Sequence, residues 1–264
     1  MTPMPRPFFT PEHEAFRDQV RRFCENEIAP FHAEWEQAHG VPLSLWKKAG
    51  ENGLLCCWLP ESLGGPGADL LFDTIVAEEL CRIGATGPGF NLHSMVVAPY
   101  IAHYGQPSVQ QKVLPQMVSG DWVGAIAMTE PGAGSDLAGI RTRAERDGDD
   151  WVISGQKTFI TNGQNAQVMV VAAKTDPALG ARGVSMFVVT ADMPGFSRGR
   201  NLHKIGQHAQ DTAELFFDKV RVPADHLLGE VNQGFKYMMQ ELPQERLQIS
   251  INCQARAEAA FEWT

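Results

Sequence analysis

From Thr10 to about position 120 the apolar residues recur at helical spacing. Phe16, Val20, Phe23 and Ile28 form one stripe, opened by a Thr10–Pro11 cap and first-turn pair and broken off at Pro30. Pro42 opens a short helix carrying Leu43 and Trp46, which stops at Asn52–Gly53. Asp69 caps a longer one with Leu71, Ile75 and Leu80 inward and Gly84 at its end. Two more helices are predicted, over 91–105 and 107–120. Residues 1–121 therefore read as an N-terminal α-helical domain.

From Trp122 to Val222 the period becomes two. The runs WVGAIAM, IRTRAER, WVISG, QVMVVAAK, VSMFVVTAD and AELFFDKVRV are separated by turn signals, and Asp147–Gly148 marks a hairpin. Such an array predicts a small β-barrel or sandwich over 122–229. After Gly229 the helical pattern returns with Phe235, Met238, Met239, Leu242, Leu247 and Ile249, and Pro243 should kink it. Residues 230–264 read as the first helix of a C-terminal helical domain that is otherwise missing. The fold class is α+β and multidomain.

Composition narrows the function. A length of 264 residues, 44% hydrophobic and 20% charged, suits a globular protein with a sizeable core. A formal net charge of −9 argues against nonspecific nucleic-acid binding, which depends on neutralising phosphates. No apolar run approaches the roughly 20 residues of a membrane span, and the segment 1–10 lacks an apolar signal core, so a cytoplasmic protein is expected. The five cysteines lack a CxxC pair and are expected to be reduced, mostly buried thiols. The histidines show no ligand spacing; His93 and His103 fall in one helical pattern, where a helix-surface role is the default.

Two segments carry candidate chemistry. TEPGAGSDLAG, from Thr129 to Gly139, follows a strand, and Gly132 and Gly134 are expected to adopt positive φ and let a ligand approach the backbone closely. Its glycine spacing fits neither a dinucleotide fingerprint nor a P-loop. On local chemistry alone a plain connecting loop remains open. Glu130 and Asp136 read as loop-organising residues that accept backbone N–H bonds. KTFITNG, from Lys157 to Gly163, ends a short strand with the hydroxyls of Thr158 and Thr161 around Phe159.

AMTEPGAGSDLAG and KTFITNG, in this order and at this distance, resemble the flavin-binding segments of the acyl-CoA dehydrogenases. KIGQHAQDTAELFFDKVRVPADHLLG, over 204–229, resembles the end of that family's β-domain. The likeness covers essentially the whole chain. It implies FAD as cofactor, with the first segment (Ile126, Ala127, Met128, Thr129, Glu130, Pro131, Gly132, Ala133, Gly134 and Ser135) along the flavin ring. Phe159, Ile160 and Thr161 would cover its other region, the Thr161 hydroxyl near the reactive nitrogen. Ser135 is also expected to touch the CoA portion of the substrate.

Dehydrogenation α,β to a thioester needs a base for the α-proton and a hydride acceptor for the β-carbon. In the long-chain and isovaleryl branches the base is a glutamate on the helix after the β-domain. YMMQELPQERLQIS resembles that stretch and makes Glu245 the candidate, although most helical glutamates are simply solvated. Pro243, Gln244 and Arg246 are expected beside the acyl thioester, and Ala181 and Arg182 near CoA; a solvated Arg182 remains open. Lys236 departs from the family, where long-chain relatives can carry an aromatic residue. The implied activity is FAD-dependent conversion of an acyl-CoA to its trans-2-enoyl-CoA. An electron-transfer flavoprotein is the implied acceptor, and a homo-oligomer, in the family a tetramer, the implied assembly. An acyl-CoA oxidase of the same fold is one alternative. A non-catalytic partial chain that binds acyl-CoA or needs a partner subunit is another, favoured by an exposed apolar face on the last helix.

Overall fold

The computed structural model describes residues 6–264, so half of the segment read for a signal core lies outside the described residues. Helix α1 (Pro11–Phe23) starts where the cap pair predicts. Thr10 Oγ1 accepts the His13 N–H at 3.4 Å, and His13 Nδ1 accepts the Thr10 N–H at 3.0 Å, a reciprocal cap with histidine in the usual glutamate place. A π-helical turn, Cys24–Ile28, leads to α2 (His32–Ala38) and α3 (Leu43–Glu51). Then come α4 (Leu70–Arg82), the single turn α5 (Phe90–Leu92), a second π-helical stretch (His93–Val97), α6 (Ala98–Tyr104) and α7 (Pro107–Val118).

Helix α4 is covered nearly all round, and so buries two carboxylates. Glu79 is matched: Arg21 and Arg82 hold it from 2.8 to 3.1 Å, which stitches α1 to α4. Burial alone would raise its pKa, but these two guanidiniums bring it below the ordinary value. Asp73 has no such cation among the described residues. It accepts the Trp58 N–H at 3.1 Å, and burial pushes its pKa up to about 7.

The strands form one continuous sheet rather than two separate layers. They are β1 (Gly124–Ala127), β2 (Arg143–Asp147), β3 (Asp150–Thr161), β4 (Val168–Lys174), β5 (Val184–Thr190), β6 (Phe196–Asn201), β7 (Thr212–Val222) and β8 (Leu227–Leu228). The order is β6-β7-β3-β2-β4-β5-β8, with β1 parallel to β4. β5 also packs against β7, well away from it in that order, so the sheet curls barrel-like around Trp151, Ile153, Phe187, Leu215 and Phe217. The hairpin at Asp147–Asp150 turns through Gly148 at φ 64°. KTFITNG does not end a short strand: it closes the 12-residue β3, which runs on from the hairpin.

Helices and sheet are locked to each other through buried polar groups. His93 is fully buried, contrary to the surface role its spacing suggested. Its Nδ1 accepts the Gly124 N–H of β1 at 2.9 Å, and Nε2 donates to the Met117 carbonyl at 3.0 Å. Burial pulls its pKa down to about 4, so it is neutral and keeps that tautomer. Asn162, at φ 63°, donates from Nδ2 to the carbonyls of Gly124 and Gly89. A Cβ on Gly89 would lie 2.1 Å from Asn162 Oδ1, so only glycine fits there.

The last helix, α8 (Gly234–Glu262), is continuous through Pro243. The apolar residues that mark it are not those that pack it. Met238 is buried, but Met239, Leu247 and Ile249 are exposed, and the inward stripe is Gly234, Met238, Glu241, Gln248, Ala255 and Ala259. The four thiols Cys24, Cys56, Cys57 and Cys81 are free and buried, and Cys253 is free and exposed.

Asp73 makes pH a test of this packing. The native state holds its proton at pH values where an unfolded chain has lost it. Stability from this group is full below the ordinary value of 3.8 and is lost as pH rises to about 7. Asp73→Asn should therefore stabilise the protein at pH 8, by up to about 4 kcal/mol, and leave it unchanged near pH 4. Denaturant unfolding at both pH values measures this; equal stabilities at pH 8 reject the unpaired buried carboxylate.

Candidate functional site

The two glycine- and threonine-bearing segments meet at the end of β3. Thr158 donates its N–H to the Thr129 carbonyl at 3.0 Å. Beneath that contact Lys157 is fully buried, its Nζ 2.8 Å from Glu130 Oε1 and 2.9 Å from the Met128 carbonyl. Glu130 further accepts the N–H groups of Arg141 at 2.6 Å and Thr142 at 3.0 Å. Burial pulls the Lys157 ammonium down to about 8, with Glu130 opposing, so it stays charged at neutral pH. Burial also works against the Glu130 carboxylate, but Lys157 and the N–H donors leave it below its ordinary value. The loop-organising reading of Glu130 is met, as is that of Asp136, whose Oδ1 accepts the Ala138 N–H at 3.2 Å. Lys157 was missed: at a strand end its position alone gives no sign of burial.

Gly132 and Gly134 depart from expectation, since neither has positive φ. The turn is closed instead by paired bonds between the backbones of Glu130 and Ala133, at 2.9 and 3.1 Å. Nothing lies within 4 Å of a Cβ built on either glycine, so the loop backbone is open to an incoming group. Pro131, Gly132, Gly134 and Ser135 are exposed. Ile126 is half-buried and Ala127 buried, and Met128 and Thr129 are half-buried. Glu130, Pro131 and Gly132 also line a groove of about 560 Å³ with Arg141, Gln156 and Phe216.

Phe159 is held in an uncommon state. A β-bulge against β7, between Lys157 and Ile160, turns it to φ 58° and leaves it 66% exposed. A non-glycine residue in this region costs on the order of 1–3 kcal/mol. Ile160 is buried and Thr161 half-buried. The ring of Phe159 is thus presented to solvent next to the contact that joins Thr158 to Thr129.

Thr161 opens onto a cleft of about 200 Å³ shared with Gln210 and with Gln248, Asn252 and Arg256 of α8. Glu245 lies less than a turn before Gln248 on the same side of the helix. It is half-buried, and its Oε1 accepts from the Tyr100 hydroxyl at 2.9 Å. Burial raises its pKa; the Tyr100 bond pulls it back, and the Glu241 charge one turn away raises it further. Gln244 is turned inward, donating from Nε2 to the Met95 carbonyl at 3.1 Å, whereas Pro243 and Arg246 are exposed. Arg182 is exposed too. It borders a separate cleft of about 360 Å³ with Leu179, Asn232, Gln233, Phe235 and Lys236, and its neighbour Ala181 is half-buried. The two loops are thus joined to one another, Thr161 and α8 share a cleft, and Arg182 stands apart.

Residues 10–121 match the family model described as acyl-CoA dehydrogenase, N-terminal domain, and residues 125–220 the one described as acyl-CoA dehydrogenase, middle domain. The chain is 53% identical over 261 residues to the long-chain specific acyl-CoA dehydrogenase, mitochondrial, of Sus scrofa, covering 98% of this chain and 61% of that protein. An acyl-CoA dehydrogenase crystal structure from Geobacillus kaustophilus matches with a TM-score of 0.95 at 50% identity, covering 98% of this chain and 68% of that one. A glutaryl-CoA dehydrogenase from Mycobacterium smegmatis, solved in complex with FADH2, matches with a TM-score of 0.85 at 30% identity, covering 96% and 64%.

The Lys157–Glu130 pair predicts its own mutational cost. Lys157→Met leaves the Glu130 carboxylate buried against two backbone donors but without its cation. Loss of one partner of such a pair should lower unfolding free energy by roughly 3–5 kcal/mol. Urea denaturation measures it, and a loss under about 1 kcal/mol, the range of an exposed pair, contradicts the geometry.

Proposed function

The chain belongs to the acyl-CoA dehydrogenase family, and on that premise we propose that it removes the α- and β-hydrogens of an acyl-CoA thioester to give the trans-2-enoyl-CoA. The chain spans about 61% of the length of its curated long-chain relative, and the proposal concerns what these residues do within that activity. The observation that carries it is Glu245: a half-buried carboxylate with raised pKa, held by Tyr100 and three residues before Gln248, which lines the cleft with Thr161 although Glu245 itself does not. Burial makes this carboxylate more basic than an exposed glutamate, the direction a base needs to take a proton from a carbon acidified by its thioester.

FAD, when bound, supplies the acceptor for the β-hydride. The residues proposed to hold it are Ile126 to Ser135, with the open backbone of Gly132 and Gly134, and Phe159, Ile160 and Thr161. The exposed ring of Phe159 and the Thr161 hydroxyl support this reading. Glu245 accepts the α-proton on a carboxylate oxygen as the α C–H bond breaks. Gln244 and Arg246, with Pro243, flank it and bound the thioester end. Ser135, Ala181 and Arg182 are the proposed CoA contacts, with Arg182 offering a cation to phosphate. An electron-transfer flavoprotein is the proposed acceptor of the electrons, and a tetramer the proposed assembly.

One observation favours a second reading. Met239, Leu247, Ile249 and Phe261 are from 43% to 70% exposed on the outward side of α8. An apolar face of this kind is what a chain needing a further subunit or layer for function presents.

The visible absorption spectrum of the chain supplied with FAD, before and after anaerobic addition of a long-chain acyl-CoA, separates the two. A bound flavin band that bleaches supports dehydrogenation; absence of bound flavin supports dependence on a further layer. In the bleaching case, Glu245→Gln should retain flavin while bleaching slows by roughly 10²–10⁴-fold. Bleaching at the wild-type rate removes Glu245 from the base role.

A further inference from the structure

Two tyrosines of α6 meet two glutamates of α8 in matched steps. Tyr100 donates to Glu245 Oε1 at 2.9 Å, and Tyr104 donates to Glu241 Oε1 at 2.9 Å. Four residues forward on α6 correspond to four residues back on α8, so the helices run antiparallel and each turn supplies one rung. The Tyr104 ring also stacks on Tyr237, a further turn back, at 4.1 Å between centroids and 22° between planes.

The rungs differ in strength. Glu241 is buried and takes a second bond from His103 Nδ1 at 2.9 Å. Burial alone would raise its pKa, but His103 and Tyr104 hold it below the ordinary carboxylate value, which makes it the more firmly held of the two carboxylates. Among the described residues Glu245 has one side-chain donor, at Oε1, and none is found for its second oxygen. Tyr100 is fully buried, and burial with the adjacent carboxylate pushes its phenol up, so it remains a donor throughout the working range.

We propose that Tyr100 is a positioning residue for the base: its hydroxyl fixes one oxygen of Glu245 and leaves the other free to receive the substrate's proton. The Tyr104–Glu241–His103 rung sets the helix register that brings Tyr100 opposite Glu245. The proposal rests on the reading of Glu245 as base, and Tyr100 itself touches no reacting atom. The titratable groups facing Glu245 are Tyr100 from α6 and Glu241 from its own helix, with His103 and Tyr104 behind Glu241. Arg246 is turned outward. A hydrogen bond to the charged form of an acid favours that form. Removing it therefore lets burial raise the Glu245 pKa further and frees the carboxylate to rotate.

The test is the pH titration of the Glu245 carboxyl by isotope-edited infrared spectroscopy on the glutamate-labelled chain, with its band identified by loss in Glu245→Gln. Tyr100→Phe keeps the buried ring and removes only the hydroxyl. The titration midpoint should rise by about one unit or more. In parallel, kcat for acyl-CoA-dependent flavin bleaching near neutral pH should fall by roughly tenfold, with KM little changed and the acid limb of the pH profile moved the same way. If Glu245→Gln abolishes bleaching while Tyr100→Phe leaves both midpoint and acid limb unmoved, the positioning role is overturned and the base assignment stands. If Glu245→Gln bleaches normally, the base assignment itself falls, and the positioning role with it.

Discussion

A desolvated ammonium must have its counter-charge beside it, and the end of β3 is arranged around that constraint at Lys157. Its partner, Glu130, could have met the charge in many ways, but here it also accepts two backbone N–H groups from the segment leading into β2. Four stretches of chain are thereby tied to one buried point: the end of β1 through Met128, the glycine loop, the start of β2 and the bulge of β3. The exposed features of the site, the open turn at Pro131–Gly134 and the strained Phe159, stand on this pair. Charge burial of this kind adds little net stability, but it penalises every arrangement that separates the partners.

The second constraint lies between helices. Along most of the N-terminal half, packing is apolar, with Trp46, Tyr100, Phe90 and Met95 among the fully buried side chains. The seam between α6 and α8 is instead written in hydroxyls, carboxylates and amides, with Gln244 and Asn252 adding bonds on either side. Polar contacts are directional, and so they fix register where apolar contacts tolerate sliding.

What the sequence made legible was local. The Thr10–Pro11 cap, the Asp69 cap and the Asp147–Gly148 hairpin are each decided within four residues, and all three are where the pattern predicts them. The strands β6 and β8 were not read, because Phe196–Asn201 is polar and glycine-bearing and Leu227–Leu228 is two residues long; pairing with β7 and β5 makes them strands. His93 looked like one polar position in a helical run, and its partners in the fold, Gly124 of β1 31 residues on and the Met117 carbonyl, account for its burial. Glycines in a loop suggested positive φ, yet the turn at Glu130–Ala133 closes without it. The candidate glutamate was named from a resemblance in its flanking residues. Its partner Tyr100 stands 145 positions away, a distance over which no single sequence carries a pairing signal.

The polar character of α8's inward face has a thermal consequence. Heat-capacity change on opening scales with apolar surface exposed and is reduced by polar surface. Detaching a helix whose inner stripe includes Glu241, Gln248 and the half-buried Glu245 and Asn252 exposes less apolar area than opening the clusters around Trp46 or Trp151. Its docking is therefore governed by enthalpy with a nearly constant slope in temperature, while the hydrophobic clusters follow a curved one. A change of temperature therefore bends the stability of those clusters more than it bends the docking of the helix that carries Glu245.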